Sequence, residues 1–264
     1  MARSKVTIEI GGIAAGVAAP DPAFLDMLEN RYVGFVSSRE DADFAFEVDL
    51  TAPEMVDPDA DVSVTHHAGR WSFERGDFRA EWEPATRCGK IRQSPNPYSI
   101  DAVLRILHSL LLARQGGFLL HAASAIRNGK AFLFTGVSGA GKTTIAGLAP
   151  PDTALLTDEI SYVRKLASGY QACGTPFTGE LQKLGENICA PIAAMYLLAK
   201  GPVNRIEAVP VAEAARALLG NILFFAKDRE LIAALLRSAC EFVDRVPVSR
   251  LIFAPDSRVW GMIG

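Results

Sequence analysis

Ala131-Phe-Leu-Phe-Thr135 runs directly into Gly136-Val-Ser-Gly-Ala-Gly-Lys142-Thr143, and Thr143–Leu148 continues until Pro150-Pro151. The first piece is an apolar strand, the second satisfies G-x-x-x-x-G-K-[ST], and the third is a short helix halted by prolines. Glycines let backbone N–H groups converge on phosphate oxygens, and the following helix adds its positive N-terminal end. Lys142 is placed to reach β- and γ-phosphates, and the Thr143 hydroxyl to complete a Mg²⁺ shell. Gly136, Val137, Ser138, Gly139, Ala140, Gly141, Lys142, Thr143 and Thr144 are therefore the candidate nucleotide contacts.

The next apolar run, Thr153-Ala-Leu-Leu-Thr157, ends in Asp158-Glu159. The connection from Gly136 is long enough for a crossover helix, so this strand is expected to run parallel to the first. Parallel strands deliver their carboxyl ends to one edge, where ligands of such sheets bind. Two carboxylates beside a triphosphate suit a Mg²⁺ ligand and a general base; a solvated strand end is the alternative. Upstream, Phe118–Ile126 reads as a strand and Asn128-Gly129 as a two-residue type I′ turn. In that register Arg127 faces Lys130, Ile126 faces Ala131, and His121 falls opposite Gly136. A histidine there can contact phosphate or tune a carboxylate, or be a satisfied core residue. The hairpin makes the sheet mixed, unlike the parallel cores of small GTPases and nucleoside monophosphate kinases. Lys142 and Asp158 are sixteen positions apart, closer than in most P-loop ATPases, and no N-K-x-D guanine signature follows.

Together Leu120-His-Ala-Ala, the Gly136–Thr143 loop, Leu156-Thr-Asp-Glu159 and Gly174-Thr-Pro-Phe-Thr-Gly-Glu180 resemble the catalytic domain of HPr kinase/phosphorylase, related in its nucleotide site to ATP-dependent phosphoenolpyruvate carboxykinase. The resemblance is close over some sixty residues and looser to the C-terminus. It implies an α/β fold, a P-loop HPr kinase/PEP carboxykinase-like mixed sheet with helices, preceded by a β-rich N-terminal domain. It implies ATP and Mg²⁺ as cofactors and serine phosphorylation as the reaction. Asp158 corresponds to the carboxylate that takes the acceptor's proton, with Lys142 and His121 completing the catalytic set. Thr143, Glu159 and Glu180 correspond to the metal-holding positions. Glu159 departs from the family's second aspartate, and the long glycine-rich signature after this region is not recognisable. The chain is thus more similar to divergent HPr-kinase-like proteins found beside peptide-modification genes, some of which phosphorylate lasso-peptide precursors. The expected acceptor is a peptide or protein serine hydroxyl. A nucleotide-binding regulatory module without transfer, a small-molecule kinase and an ATPase are the alternatives. The resemblance also allows a homo-oligomer.

The rest of the chain frames this centre. Val6, Ile8 and Ile10 alternate, as do Phe44, Phe46, Val48 and Leu50, then Val62 and Val64, Trp71 and Phe73, and Phe78, Ala80 and Trp82. This period of two predicts an antiparallel sheet over residues 1–96, with one helix near Asp21–Asn30 and a tight hairpin at Arg75-Gly76. His66-His67 are adjacent on a strand, so they point to opposite faces and do not make a metal site. Tyr98–Gln115 has helical spacing, with Ser99 as N-cap and Gly116-Gly117 as stop, and links to a catalytic domain over 97–264. His108 on that helix reads as structural. Helices are expected at Val211–Leu219 and Arg229–Phe242, and a strand at Val248–Ala254.

Over 264 residues, 49% hydrophobic and 22% charged content fits a globular protein with a substantial core. Lys+Arg 27 against Asp+Glu 30 gives −3, which argues against nucleic-acid binding by bulk charge. No apolar run reaches bilayer length and MARSKVTIEI lacks an export core, so no membrane role and a cytoplasmic location are expected. Cys88, Cys173, Cys189 and Cys240 form no C-x-x-C pair and are expected as reduced thiols.

Overall fold

The computed structural model describes residues 4–52 and 61–264. They form two compact units, one comprising the residues up to Leu110 with Phe225–Arg229, the other Leu111–Phe224 with Glu230–Gly264. Each contains a mixed β-sheet with helices.

The first unit is built from β1 (Lys5–Ile10), β2 (Ile13–Ala18), α1 (Pro22–Arg31), β3 (Phe44–Leu50), β4 (Ser63–His67), β5 (Arg70–Arg75), β6 (Phe78–Glu83), β7 (Cys88–Gln93) and most of α2 (Pro97–Gln115). The strands lie in the order β1-β2-β3-β7-β6-β5-β4. The expected antiparallel sheet is corrected at two places, because β3 runs parallel to both β2 and β7. The physical reason is connectivity: α1 carries the chain across so that β3 re-enters in the direction of β2. The β5–β6 hairpin turns at Gly76-Asp77, pairing Arg75 with Phe78. Alternation sends Phe46, Val48, Trp71, Phe73, Phe78, Ala80, Trp82 and Ile91 to the buried face. Glu47, Asp49, Arg79, Lys90 and Arg92 are exposed on the other. Sequence patterning missed β2, since Ile-Ala-Ala-Gly-Val-Ala is buried almost throughout and shows no alternation.

Two helix starts are fixed by side chains. Asp21 accepts from the Ala23 amide at 2.9 Å ahead of Pro22, which occupies the first turn of α1. For α2 the cap is Asn96, not Ser99: Asn96 Oδ1 accepts from the Tyr98 and Ser99 amides at 2.9 and 3.0 Å. Ser99 already lies inside the helix, and its hydroxyl donates to Asp77 at 2.9 Å. Buried Asp101 accepts from Arg31 and from the Tyr32 hydroxyl, both at 2.6 Å, which fastens α1 to α2. His108 is fully buried, and burial pushes its imidazole down to about 4.

The second unit contains β8 (Phe118–Arg127), β9 (Lys130–Thr135), α3 (Lys142–Gly147), β10 (Ala154–Thr157), β11 (Ile160–Leu166), β12 (Gly169–Cys173), β13 (Cys189–Lys200), β14 (Arg205–Ala208), α4 (Val211–Leu219), β15 (Ile222–Leu223), α5 (Arg229–Arg245), β16 (Val248–Phe253) and a 3₁₀ turn at Ser257–Met262. The β8–β9 hairpin pairs Arg127 with Lys130 and Ile126 with Ala131. Asn128 and Gly129 both have positive φ, 51° and 72°, as a type I′ turn requires. β13 lies parallel to β9 and β16 parallel to β13. β10 is antiparallel to β8 and so runs in the direction of β9, with β8 between them. The core behind β9 gathers Phe134, Ile145, Tyr196, Leu251 and Trp260. The Trp260 indole donates to the Ile145 carbonyl at 3.0 Å and pins α3.

The expectation of four reduced thiols is corrected. Cys173 and Cys189 form a disulfide across directly paired positions of β12 and β13, with Cα atoms 4.1 Å apart. Strand pairing, invisible in the sequence spacing, brings them together. Cys88 and Cys240 are free and exposed. Among the described residues no helix is long and apolar enough to cross a membrane.

Candidate functional site

The glycine loop leaves β9 at Thr135, whose hydroxyl donates to the His121 carbonyl at 2.9 Å. That bond ties the start of the loop to β8. Gly139 and Gly141 adopt φ of 74° and 110°, where a side chain is strained. A Cβ on Gly141 would also stand 2.7 Å from the Phe253 ring, at the end of β16. The turn is therefore compact, and Val137, Ser138 and Gly139 face solvent. Lys142, the first residue of α3, is only 8% exposed. Its ammonium donates to the Gly136 carbonyl at 3.3 Å. Among the described residues no carboxylate lies within ion-pair distance of it. A buried cation whose protein partner is a neutral carbonyl is incompletely compensated, and an arriving anion completes it.

The acidic pair sits on an irregular stretch beside β8. Leu155 faces Ala125 and Thr157 faces Ser124, so Leu156 is an extra residue bulged out of the ladder. Pairing resumes at Ile160 opposite His121. Glu159 thus reaches His121: Oε1 and Nε2 are 3.6 Å apart, and each side chain is about a third exposed. The imidazole is held below its ordinary pKa by burial first and by the Lys142 ammonium second, with Glu159 pulling the other way. Lys142, His121 and Glu159 therefore share one electrostatic neighbourhood.

Asp158 has a different environment. It is 1% exposed, and its two oxygens accept from the amides of Gly179 and Leu181 at 2.8 and 2.9 Å. Those amides belong to the segment 174–188, which is laid along the outer side of β10. Thr175 N donates to the bulged Leu156 carbonyl at 3.2 Å, and Glu186 N to the Leu155 carbonyl at 2.9 Å. The Thr157 hydroxyl donates to the Phe177 carbonyl at 3.3 Å and the Thr175 hydroxyl to the Ile160 carbonyl at 2.7 Å. Gly174 and Gly185 make this approach sterically feasible, since a Cβ on either would fall within 2 Å of a carbonyl oxygen. Leu181 packs against the core around α3. Glu180, between the two capping amides, is exposed. The Cys173–Cys189 bridge closes the segment at its base.

Of the residues singled out in the sequence, the structure brings Lys142, His121 and Glu159 together and places Asp158 under the segment that carries Glu180. The sequence reading missed the anchoring of that segment. Its signals were Gly174 and Gly185 inside a stretch flanked by two cysteines. Among the described residues no three His, Cys, Asp or Glu side chains cluster as a metal cage. Thr143 and Glu180 suit Mg²⁺ in another way, as single oxygen donors that a nucleotide's phosphates would supplement. Two concavities, of about 500 and 520 Å³, line the seven-stranded sheet. Their walls carry mutually paired charges such as Arg75–Asp77 and Lys90–Glu47, so the glycine loop is the better-founded site.

A family model described as "SynChlorMet cassette protein ScmC" matches residues 98–264, more than half of the chain. The chain belongs to that family. The matched span begins in α2 and includes the glycine loop, the Asp158-Glu159 bulge and the segment 174–188. No curated protein matches the chain.

Proposed function

We propose that this protein transfers the γ-phosphoryl group of a nucleoside triphosphate, ATP in the first instance, to a hydroxyl of a peptide or protein, with serine the expected acceptor. The observation that carries the reading is Lys142: a buried ammonium with no carboxylate partner among the described residues, behind an exposed glycine turn, in the electrostatic field of His121 and Glu159. The strand–glycine loop–helix unit in a mixed sheet supports assigning this half to the HPr kinase/PEP carboxykinase-like P-loop class.

Lys142 and the amides of the loop would bear the negative charge of the migrating group, and most of the catalysis is such positioning and electrostatics. The Thr143 hydroxyl and the Glu180 carboxylate would hold Mg²⁺, which when bound neutralises the β- and γ-oxygens. One carboxylate of the Asp158-Glu159 pair would take the acceptor's proton. The family description speaks of a cassette protein, so peptides encoded in the same cassette are the first acceptors to try.

The test is calorimetry with MgATP together with transfer of labelled phosphate to such peptides. Lys142→Ala should weaken nucleotide binding and depress transfer by about 10²-fold or more, as loss of a transition-state charge contact does. Lys142→Ala with undiminished transfer would sink the assignment. Binding of MgATP without transfer to any peptide would instead favour a nucleotide-responsive regulatory module.

A further inference from the structure

The geometry points to a division of labour within the acidic pair: Asp158 is a positioning residue that fastens the segment 174–188, and Glu159 is the carboxylate that receives the acceptor's proton. This rests on the phosphoryl-transfer reading and refines it. Both oxygens of Asp158 are engaged by the Gly179 and Leu181 amides, and the residue is 1% exposed. A proton acceptor must meet the attacking hydroxyl at hydrogen-bond distance, and Asp158 has its oxygens turned to the backbone of its own chain. Glu159, one residue on, also borders Gly179, where an added Cβ would stand 2.8 Å from Glu159 Oε2 and from Asp158 Oδ2 alike, but its other oxygen reaches His121. It is a third exposed and lies beside His121. The same carboxylate was matched by resemblance to a metal-holding position; its contact with the imidazole assigns it to proton transfer instead.

What Asp158 positions is specific. Its clasp fixes the backbone on either side of Glu180, and with it Leu181, whose side chain packs against the core around α3. In the transfer step the hydroxyl oxygen bonds to the γ-phosphorus as the bond to the bridging oxygen breaks. The electron pair leaves with the nucleoside diphosphate, and the proton goes to Glu159. Asp158 takes no part in that exchange and acts through the segment it holds.

The experiment compares Asp158→Asn, Leu181→Pro and Glu159→Gln by three readouts: tryptic cleavage after Lys183, MgATP affinity by calorimetry, and the kcat and KM of transfer. Asp158→Asn replaces one acceptor oxygen by a donor facing an amide. Leu181→Pro removes a donor and leaves the carboxylate intact. Both should speed cleavage at Lys183 by about ten-fold, through local opening, and raise the KM for MgATP about ten-fold while kcat stays within about three-fold. Glu159→Gln should leave cleavage and MgATP affinity within about three-fold and lower kcat by about 10²-fold or more. Asp158→Asn that spares the segment but abolishes kcat would make Asp158 the proton acceptor and overturn the proposal. Leu181→Pro without faster cleavage would overturn the clasp. Cleavage at Lys183 needs no nucleotide, so a wild-type protein that transfers nothing removes the role of Glu159 while the clasp is decided separately.

Discussion

The two sheets hide their polar groups in different places. In the seven-stranded unit the buried face is dominated by aromatic and aliphatic side chains, and buried Gln93, Ser99 and Asp101 serve to fix the helices. Gln93 bonds the Ser94 and Asn96 carbonyls ahead of α2, and Asp101 holds Arg31 and Tyr32. In the nine-stranded unit Ser124, Thr135, Lys142, Thr157, Asp158, Ser161 and Thr175 are all buried along β8 and the strand ends beside it. Several of them bond main chain of a neighbouring element, as Ser161 does with the Ala122 carbonyl at 2.8 Å. Burying a polar group is costly unless it is satisfied. Its concentration here indicates where backbone position matters more than packing density.

That contrast can be broken or sharpened by substitution. The largest effect is expected in the first unit. Trp82→Ala removes a fully buried ring packed edge-on against Phe44 and should cost about 3–5 kcal/mol in urea unfolding. The folded variant should keep its MgATP affinity, and a parallel loss would mean that the first sheet shapes the site. Next is the disulfide. Replacing Cys173 and Cys189 by Ser opens a bridge with a sequence separation of 16 and should cost about 3 kcal/mol on the chain-entropy account, with faster tryptic cleavage at Lys183. An unchanged melting temperature would show that the hydrogen bonds to β10 suffice.

The smallest effect is a pH dependence from His108. Its imidazole titrates at about 4 in the fold against the ordinary 6.5, so the unfolded chain binds the proton more readily. The stability it permits is complete above pH 6.5 and falls as the pH drops toward 4. At pH 5 the loss is about 2 kcal/mol by linkage. His108→Gln should flatten that part of the stability curve, and an unaltered slope would assign it to other groups.

Local signals in the sequence carried much of this structure. The Asn128-Gly129 turn fixed the β8–β9 register residue by residue, and the alternation around Trp71 and Trp82 found their strands. α4 and β16 were visible from spacing for the same reason: each is decided by a few neighbouring residues. The features that were missed depend on partners far along the chain. β2 is buried on both faces and so carries no period. The parallel placement of β3 follows from where α1 returns the chain. The bulge at Leu156 exists because the Leu156 carbonyl finds an amide nineteen positions later, at Thr175. Asp158 shows this limit most clearly: its place after an apolar strand was legible, but its two amide donors, on Gly179 and Leu181, were not.

The bonds from Thr175 and Glu186 to β10 carry one more consequence. β10 stands last in its sheet, so its outward carbonyls would otherwise form a bare rim able to recruit an extended peptide or a second chain. The strapping that orders the acidic pair therefore also guards the molecule against edge-to-edge association. Whatever loosens it for long would be expected to show first as aggregation.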